Sequence, residues 1–279
     1  MTAPVSVLIP SYCCADTITR AVESVVEQTL VPAEIIMVDD ASSDGGATYS
    51  ALKDMQQRFS MRTSIRIIRM ERNGGPGAAR NRAWEMASQP YVAFLDADDA
   101  WHPRKLEIQC EFMESHPDIV LSGHATFLSL ESTPFSSLPI RWGTTRVTAA
   151  RLLATNMLPT RSVMLKREIS FRFEEGRHFA EDYHLWLRVV LSGYRACRIE
   201  LPLACSFKPD FGASGLSGQL WQMERGELDT YTRLRREGLL NTWIYPGLVG
   251  FSLLKFSVRS AKVLIRRRMS PSAAHEVRS

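Results

Sequence analysis

Four short apolar runs in the first hundred residues each stop at a polar cluster, and this repeated arrangement limits the folds open to the chain more than any other feature. Val5–Ile9 stops at Pro10-Ser11-Tyr12, Ile35–Val38 at Asp39-Asp40, Ile65–Met70 at Asn73-Gly74-Gly75, and Tyr91–Leu95 at Asp96-Ala97-Asp98. Apolar runs of this length, bounded by turn residues, read as buried strands. Helical patterns separate them. Ile18, Val22, Val25 and Val26 recur at helix spacing, with Asp16 the expected N-cap, and a second helix is expected from about Gly77 to Ala87. Strands alternating with helices pair in parallel through right-handed crossovers, so the expected fold is α/β, an open and mainly parallel sheet flanked by helices. Ligands bind such sheets at the carboxyl edge, which is where all four clusters fall.

The remainder is less regular. Ser162–Leu165 reads as a strand, Tyr183–Leu191 as a helix and Tyr194–Ile199 as another strand, with a Pro- and Ser-containing loop over Phe135–Thr145. A length of 279 residues suits one large domain with a small appendage. The net charge of +4 is mild, and residues 1–240 carry no basic stripe, so nucleic acid is not an expected partner. Five cysteines without Cys-x-x-Cys spacing suggest neither a disulfide framework nor a zinc knuckle. Met-Thr-Ala-Pro leads directly into the first strand pattern with no basic and apolar leader, so a cytoplasmic location is expected.

Each cluster has a chemical reading and a bland one. In extended chain Asp96 and Asp98 point the same way, and two hard oxygen donors suit Mn²⁺ or Mg²⁺; the bland reading is a solvated acidic turn. Asp39 and Asp40 offer acceptors for a base or ribose, and Tyr12 an aromatic face, although Asp, Ser and Gly also dominate ordinary turns. Gly74-Gly75-Pro76-Gly77 opens a helix whose first amides favour an anion, with Arg80 one turn in; this is not a Walker sequence, since the lysine and hydroxyl residue are missing. Glu181 and Asp182 start a helix, where carboxylates are favoured whatever their function. Adjacent helical side chains diverge by about 100°, so only one of the two faces any given substrate.

These residues, in this order, resemble the inverting family-2 glycosyltransferases of the GT-A fold. The similarity runs over roughly residues 4–200, through Val5–Tyr12, Val38–Asp44, Asn73–Asn81, Leu95–Asp99 and Ala180–Arg188. The resemblance implies a metal-dependent transfer of one sugar from a nucleotide-diphospho-sugar, UDP being the commonest donor nucleotide, to a hydroxyl on a glycan or lipid-linked acceptor. It implies Pro10, Tyr12, Asp39 and Arg80 in the nucleobase pocket and Asp40 beside them. Asp96 would reach the ribose or metal shell, Asp98 the metal, and Asp182 would be the base with Glu181 its neighbour. Lys208 would contact diphosphate from a closing loop, or sit in a linker. No Q-x-x-R-W segment follows, which points away from processive synthesis. A donor half of about 1–125 and an acceptor half of about 145–235 are expected, and then a helical tail over 236–279.

Two other readings are weaker. A sugar-1-phosphate nucleotidyltransferase would carry a glycine-rich basic loop after the first strand, where Pro10-Ser11-Tyr12-Cys13-Cys14 stands. A non-catalytic nucleotide- or glycan-binding protein would have no need of Asp96, Asp98 and Asp182 together. In the tail, Lys255, Arg259, Lys262 and Arg266 recur at helical spacing. Either this basic face lies on an anionic membrane, placing the protein peripherally on the inner face of the cytoplasmic membrane, or the helix packs on the domain with the basic face in water.

Overall fold

The structure, a computed structural model, describes residues 2–129, 135–207 and 220–269, with side chains described as far as residue 261. Lys208 and the segment that follows it to Ser217 lie outside the described residues. The chain divides into two compact units, Met1–Phe207 and Lys208–Ser279, where the sequence placed a boundary at 235.

In the first unit β1 (Ala3–Ser11), α1 (Ile18–Val26), β2 (Pro32–Asp39), α2 (Ala47–Phe59), β3 (Ser64–Arg69), α3 (Gly75–Glu85) and β4 (Tyr91–Phe94) alternate as expected. Then follow β5 (Asp99–Trp101), α4 (Lys105–Ser115), β6 (Ile119–Leu128), β7 (Thr144–Val147), α5 (Ala149–Ala154), a 3₁₀ turn at Thr160–Ser162, β8 (Met164–Lys166), α6 (Glu181–Leu191) and β9 (Arg195–Ser206). They build one nine-stranded sheet in the order β3-β2-β1-β4-β8-β6-β9-β5, with β7 beside β9. The β3-β2-β1-β4 portion is parallel. Beyond it β8 runs antiparallel to both β4 and β6, so the sheet becomes mixed.

Parallel strands need both faces covered, and here they are. Val5, Val7 and Ile9 of β1 are fully buried, as are Ile35 and Met37 of β2, and Ile18, Val22, Val25 and Val26 of α1 pack into the same core. Each such side chain stabilises the fold by roughly 1.5–3 kcal/mol relative to exposure. Asp16 does not cap α1; the N-cap is Thr17, whose hydroxyl donates to the Cys14 carbonyl instead. A second cluster of Trp84, Phe94, Phe173 and Trp186 has ring centroids 5.3–6.3 Å apart and ties α3 and β4 to α6.

In the second unit α7 (Leu220–Arg236) and α8 (Tyr245–Met269) form a hairpin pair held by charge. The fully buried Glu224 accepts from Arg259 at 2.6 Å and Ser252 at 2.7 Å, and Glu227 accepts from Lys255 at 2.7 Å. Lys255 and Arg259, two of the four residues of the expected basic face, are therefore turned onto α7 rather than into water, and the side chains of Lys262 and Arg266 lie outside the described residues. No helix among the described residues is long and apolar enough to cross a membrane.

Candidate active site

The carboxyl edge of the parallel strands gathers the expected residues. Ser11 and Asp39 are register partners, Asp40 N–H donates to the Ser11 carbonyl, Met70 N–H to the Asp39 carbonyl and Leu95 N–H to the Leu8 carbonyl. Pro10, Tyr12, Asp39, Asp40, Asn73 and Asp96 thus leave the sheet at one edge. The loops after β1 and β2 are stitched together, Cys13 N–H donating to Ser42 Oγ at 3.0 Å and Cys14 N–H to Thr48 Oγ1 at 2.8 Å. Tyr12 stands half exposed against Ser43.

Asp39 and Asp40 do different things. Asp39 is fully buried; its Oδ1 accepts from Ser42 N–H at 3.0 Å, while Oδ2 has no hydrogen-bond partner among the described residues, only Arg69 Nε at 3.3 Å as an ion pair. A buried acceptor left in that state calls for a donor. Asp40 has both oxygens engaged by the glycine turn, Oδ1 by Gly74 N–H and Oδ2 by Gly75 N–H, each at 2.8 Å. These amides, read from sequence as a cradle for a bound anion, are thus held by the chain's own carboxylate. Burial pushes the Asp40 carboxyl above its usual range, against the pull of those two amides. Gly75 has φ +83°, which favours glycine, and a Cβ there would push aside the exposed His178 ring, whose Nδ1 would lie 2.8 Å away.

The acidic cluster is a turn. Asp99 N–H donates to the Asp96 carbonyl at 3.1 Å, which removes the extended-chain premise that put the Asp96 and Asp98 side chains on one side. Both are part-exposed, and Arg20 of α1 donates to the Asp98 carbonyl at 2.9 Å. Among the described residues no group of three or more His, Cys, Asp or Glu forms a cluster able to hold a metal ion. Asp99 is buried, paired with Arg161 at 3.3 Å, and burial pushes its carboxyl up to about 7, with Arg161 opposing and Asp96 and Asp98 adding to the rise.

Arg80 joins this turn to α6. Its Nη2 donates to Asp96 Oδ1 at 2.7 Å, its Nη1 to Glu181 Oε1 at 2.9 Å, and its guanidinium lies 5.3 Å from the centroid of Phe173. Burial alone would lower its pKa; Asp96, Glu181 and Asp182 overcome this and raise it. Arg80 is 5% exposed, which disposes of the surface-salt-bridge alternative. Glu181 is buried as well, and its carboxyl is raised by that burial, Arg80 opposing and Asp182 adding. Asp182 is only half-buried, and its Oδ2 accepts from Thr160 Oγ1 at 2.6 Å.

The non-glycine residues with left-handed backbones among the described residues are Cys13 (φ 45°), Ala41 (φ 53°) and Ala180 (φ 57°). They follow Tyr12, follow Asp40 and precede Glu181. Such conformations cost on the order of 1–3 kcal/mol each and concentrate at functional sites.

The glycosyl transferase family 2 model matches residues 6–170. The chain belongs to that family. Its relatives include the Escherichia coli UDP-Glc:alpha-D-GlcNAc-diphosphoundecaprenol beta-1,3-glucosyltransferases WfaP, 33% identical over 198 residues (69% of this chain, 72% of the relative), and WfgD, 30% identical over 186 residues (67% and 69%). Among solved structures the fold is like that of S. aureus TarS 1-349 in complex with UDP-GlcNAc, with a TM-score of 0.67 at 19% identity over 91% of this chain and 72% of that one. The mannosyltransferase PcManGT from Pyrobaculum calidifontis, in complex with GDP-Man and Mn²⁺, gives 0.65 at 18% identity over 94% and 76%.

Four residues that hold the candidate site together carry no sequence signal: Arg20 on Asp98, Thr160 on Asp182, Arg161 on Asp99 and Phe173 under Arg80. A cleft of about 410 Å³ lined by Arg72, Asn73, Gly74, Arg82 and His178, among others, lies beside the glycine turn; it includes Asn73 and Gly74 but not Tyr12, Arg80 or any of the expected carboxylates.

Proposed function

We propose that this family-2 glycosyltransferase transfers one sugar, with inversion, from a UDP-sugar to a hydroxyl of a lipid-linked oligosaccharide used in cell-surface polysaccharide assembly. The observation that carries the reading is the buried Asp96–Arg80–Glu181 bridge, which brings the start of α6 up to the acidic turn at the sheet edge. Two relatives named for UDP-Glc and a diphosphoundecaprenol acceptor support the donor and acceptor classes.

Tyr12 supplies a face for the base, with Pro10 beside it. Asp39 Oδ2 supplies an acceptor in want of an N–H, which the imide of uracil offers. Asp40 shapes the pocket indirectly by fixing the Gly74–Gly75 turn. Asp96 and Asp98 present hard oxygens at one turn, a donor set that fits Mn²⁺ or Mg²⁺ when diphosphate oxygens and water complete the shell. A divalent cation bound there would neutralise charge on the departing diphosphate.

Asp182 is the base. It takes the proton of the acceptor hydroxyl as that oxygen bonds to the anomeric carbon and the bond to the diphosphate breaks on the opposite face. Glu181 is held by Arg80 and orients the helix start, and Thr160 holds Asp182 Oδ2, leaving one carboxylate for the proton.

Calorimetric titration of UDP, GDP and dTDP, with and without Mn²⁺, tests the donor site. Metal-dependent UDP binding that Asp98→Ala abolishes is the expected result, and absence of binding by any of the three overturns the pocket. Asp182→Asn should lower kcat by about 10²–10⁴-fold with UDP binding unchanged. Retained turnover in that variant removes the base.

A further inference from the structure

One polar stripe of α1 is turned onto the chain segment that carries the acidic turn. Arg20 and Ser24 share a helix face, and Gln28 continues their spacing just past the helix end. Arg20 Nη2 donates to the Asp98 carbonyl at 2.9 Å, Ser24 Oγ accepts from Trp101 N–H at 3.1 Å, and Gln28 Nε2 donates to the His102 carbonyl at 2.8 Å. All three partners are backbone groups, so the stripe sets the course of the chain from Asp98 to His102.

Arg20 also stands at the end of a ladder. β5 runs antiparallel to β9 with Asp99 opposite Ser206 and Ala100 opposite Cys205, so Asp98 and Phe207 fall on the next rung. Arg20 spans that rung. While Nη2 takes the Asp98 carbonyl, the guanidinium lies 3.6 Å from the centroid of the Phe207 ring. A planar guanidinium can stack and donate in its own plane at once, which an ammonium cannot. The other two aspartates of the turn have an arginine on the carboxylate itself, Arg80 on Asp96 and Arg161 on Asp99. At Asp98 the arginine takes the carbonyl, which fixes the backbone and leaves the carboxylate out of that bond.

We propose that Arg20 is a positioning residue of the divalent-cation site, setting the direction of the Asp98 side chain through its carbonyl and through the Phe207 ring. This rests on the reading of Asp98 as a metal ligand. A partner that orients a ligand from behind tunes the affinity of the metal, and its loss weakens binding by about 10–100-fold.

The test is calorimetric titration of UDP into the full chain at a series of Mn²⁺ concentrations, for wild type, Arg20→Met, Arg20→Lys and Phe207→Leu. Methionine keeps an apolar stem against the ring and removes every donor. In Arg20→Met the Mn²⁺ concentration that gives half-maximal UDP binding should rise about 10–100-fold, and saturating Mn²⁺ should return UDP affinity to that of the wild type. Arg20→Lys keeps the charge and a donor and should recover part of the shift. Phe207→Leu should move the Mn²⁺ dependence several-fold in the same direction, and should add little to Arg20→Met, because the ring acts through the guanidinium. A role in stability alone would lower the melting temperature and leave the Mn²⁺ dependence where it was. That outcome overturns the proposal, as does a loss of UDP affinity that saturating Mn²⁺ does not repair. Should Arg20→Met not fold, Arg20→Lys and Phe207→Leu decide in its place, and wild-type Mn²⁺ dependence in both overturns the proposal. A wild type whose UDP binding ignores Mn²⁺ overturns the cation reading itself, and this proposal with it.

Discussion

Arg80 and Arg259 each span two carboxylates, yet one arrangement ties together the proposed reaction site and the other decides which way a helix faces. Arg80 is 6% exposed at its side chain and lies between Asp96 at 29% and Glu181 at 9%. Its partners leave a strand end and begin a helix, so the bridge fixes the two backbone segments that carry the proposed metal ligands and base. Arg259 is 27% exposed and lies between Glu224 and Glu227, which share one face of α7. That bridge joins the sides of two helices and fixes only their rotation about their own axes. Depth and the kind of element joined, more than the ion pair as such, decide what a buried arginine contributes.

Removing the arginine tests the difference directly. Arg80→Met leaves two carboxylates facing each other in a buried site without their cation, which costs about 3–5 kcal/mol when one member of a buried pair is lost. Chemical denaturation should show that loss, and a change under 1 kcal/mol would mean that water or the Asp96 and Glu181 rotamers relieve the site. Arg259→Met should cost less, about 1–3 kcal/mol, because water reaches the arginine and Ser252 still donates to Glu224. A larger loss there than at Arg80 would reverse the ranking by depth.

The two regions also differ in how far sequence reveals them. At the sheet edge the cluster positions are legible, because each apolar run ends where a parallel strand must deliver its ligand residues. The partners are not. Asp40 reads as a ligand for a nucleotide until the fold brings it to Gly74 and Gly75, 34 and 35 residues away. Thr160 lies 22 residues from Asp182, and Arg161 62 residues from Asp99, in a segment with no motif. The Asp96–Asp98 alternation assumes extended backbone, and a single turn hydrogen bond cancels it. In the tail, spacing puts Lys255 and Arg259 on one face correctly, but the direction of that face depends on Glu224 and Glu227 in another helix. Local pattern gives the face; only the partner element gives its sense.

A smaller effect asks whether the Arg80 bridge positions the proposed base unaided. The bridge ends at Glu181, one residue short of Asp182, whose own side chain is held by the Thr160 hydroxyl. Thr160→Val keeps the shape and removes that donor, and kcat should fall by about tenfold with the donor KM unchanged, near the net worth of one hydrogen bond to a charged group. Thr160→Ser should restore it. A valine variant as fast as wild type would assign the positioning to Arg80 and Glu181 alone.

The smallest effect separates arginine from neutral donors as the partner of a buried carboxylate. Glu34 of β2 is 5% exposed and accepts from Ser6 Oγ at 2.6 Å, from Ser88 N–H at 2.7 Å and Oγ at 2.8 Å, and from the half-exposed Arg66. Burial alone would raise its carboxyl, but these donors together lower it below the usual range. A carboxylate lowered in the folded state binds its proton more readily when unfolded, so its stabilisation is complete above an unfolded value of about 4.3 and fades as pH falls through the lower folded one. Glu34→Gln should therefore be less stable than wild type at pH 7 by no more than about 1 kcal/mol, since the half-exposed arginine is screened by water. The gap between them should close on acidification toward pH 3. Urea unfolding at a series of pH values measures that gap. If it widened in acid, the folded carboxyl would have to be raised, and hydroxyl and amide donors would not hold a buried carboxylate charged as an arginine does.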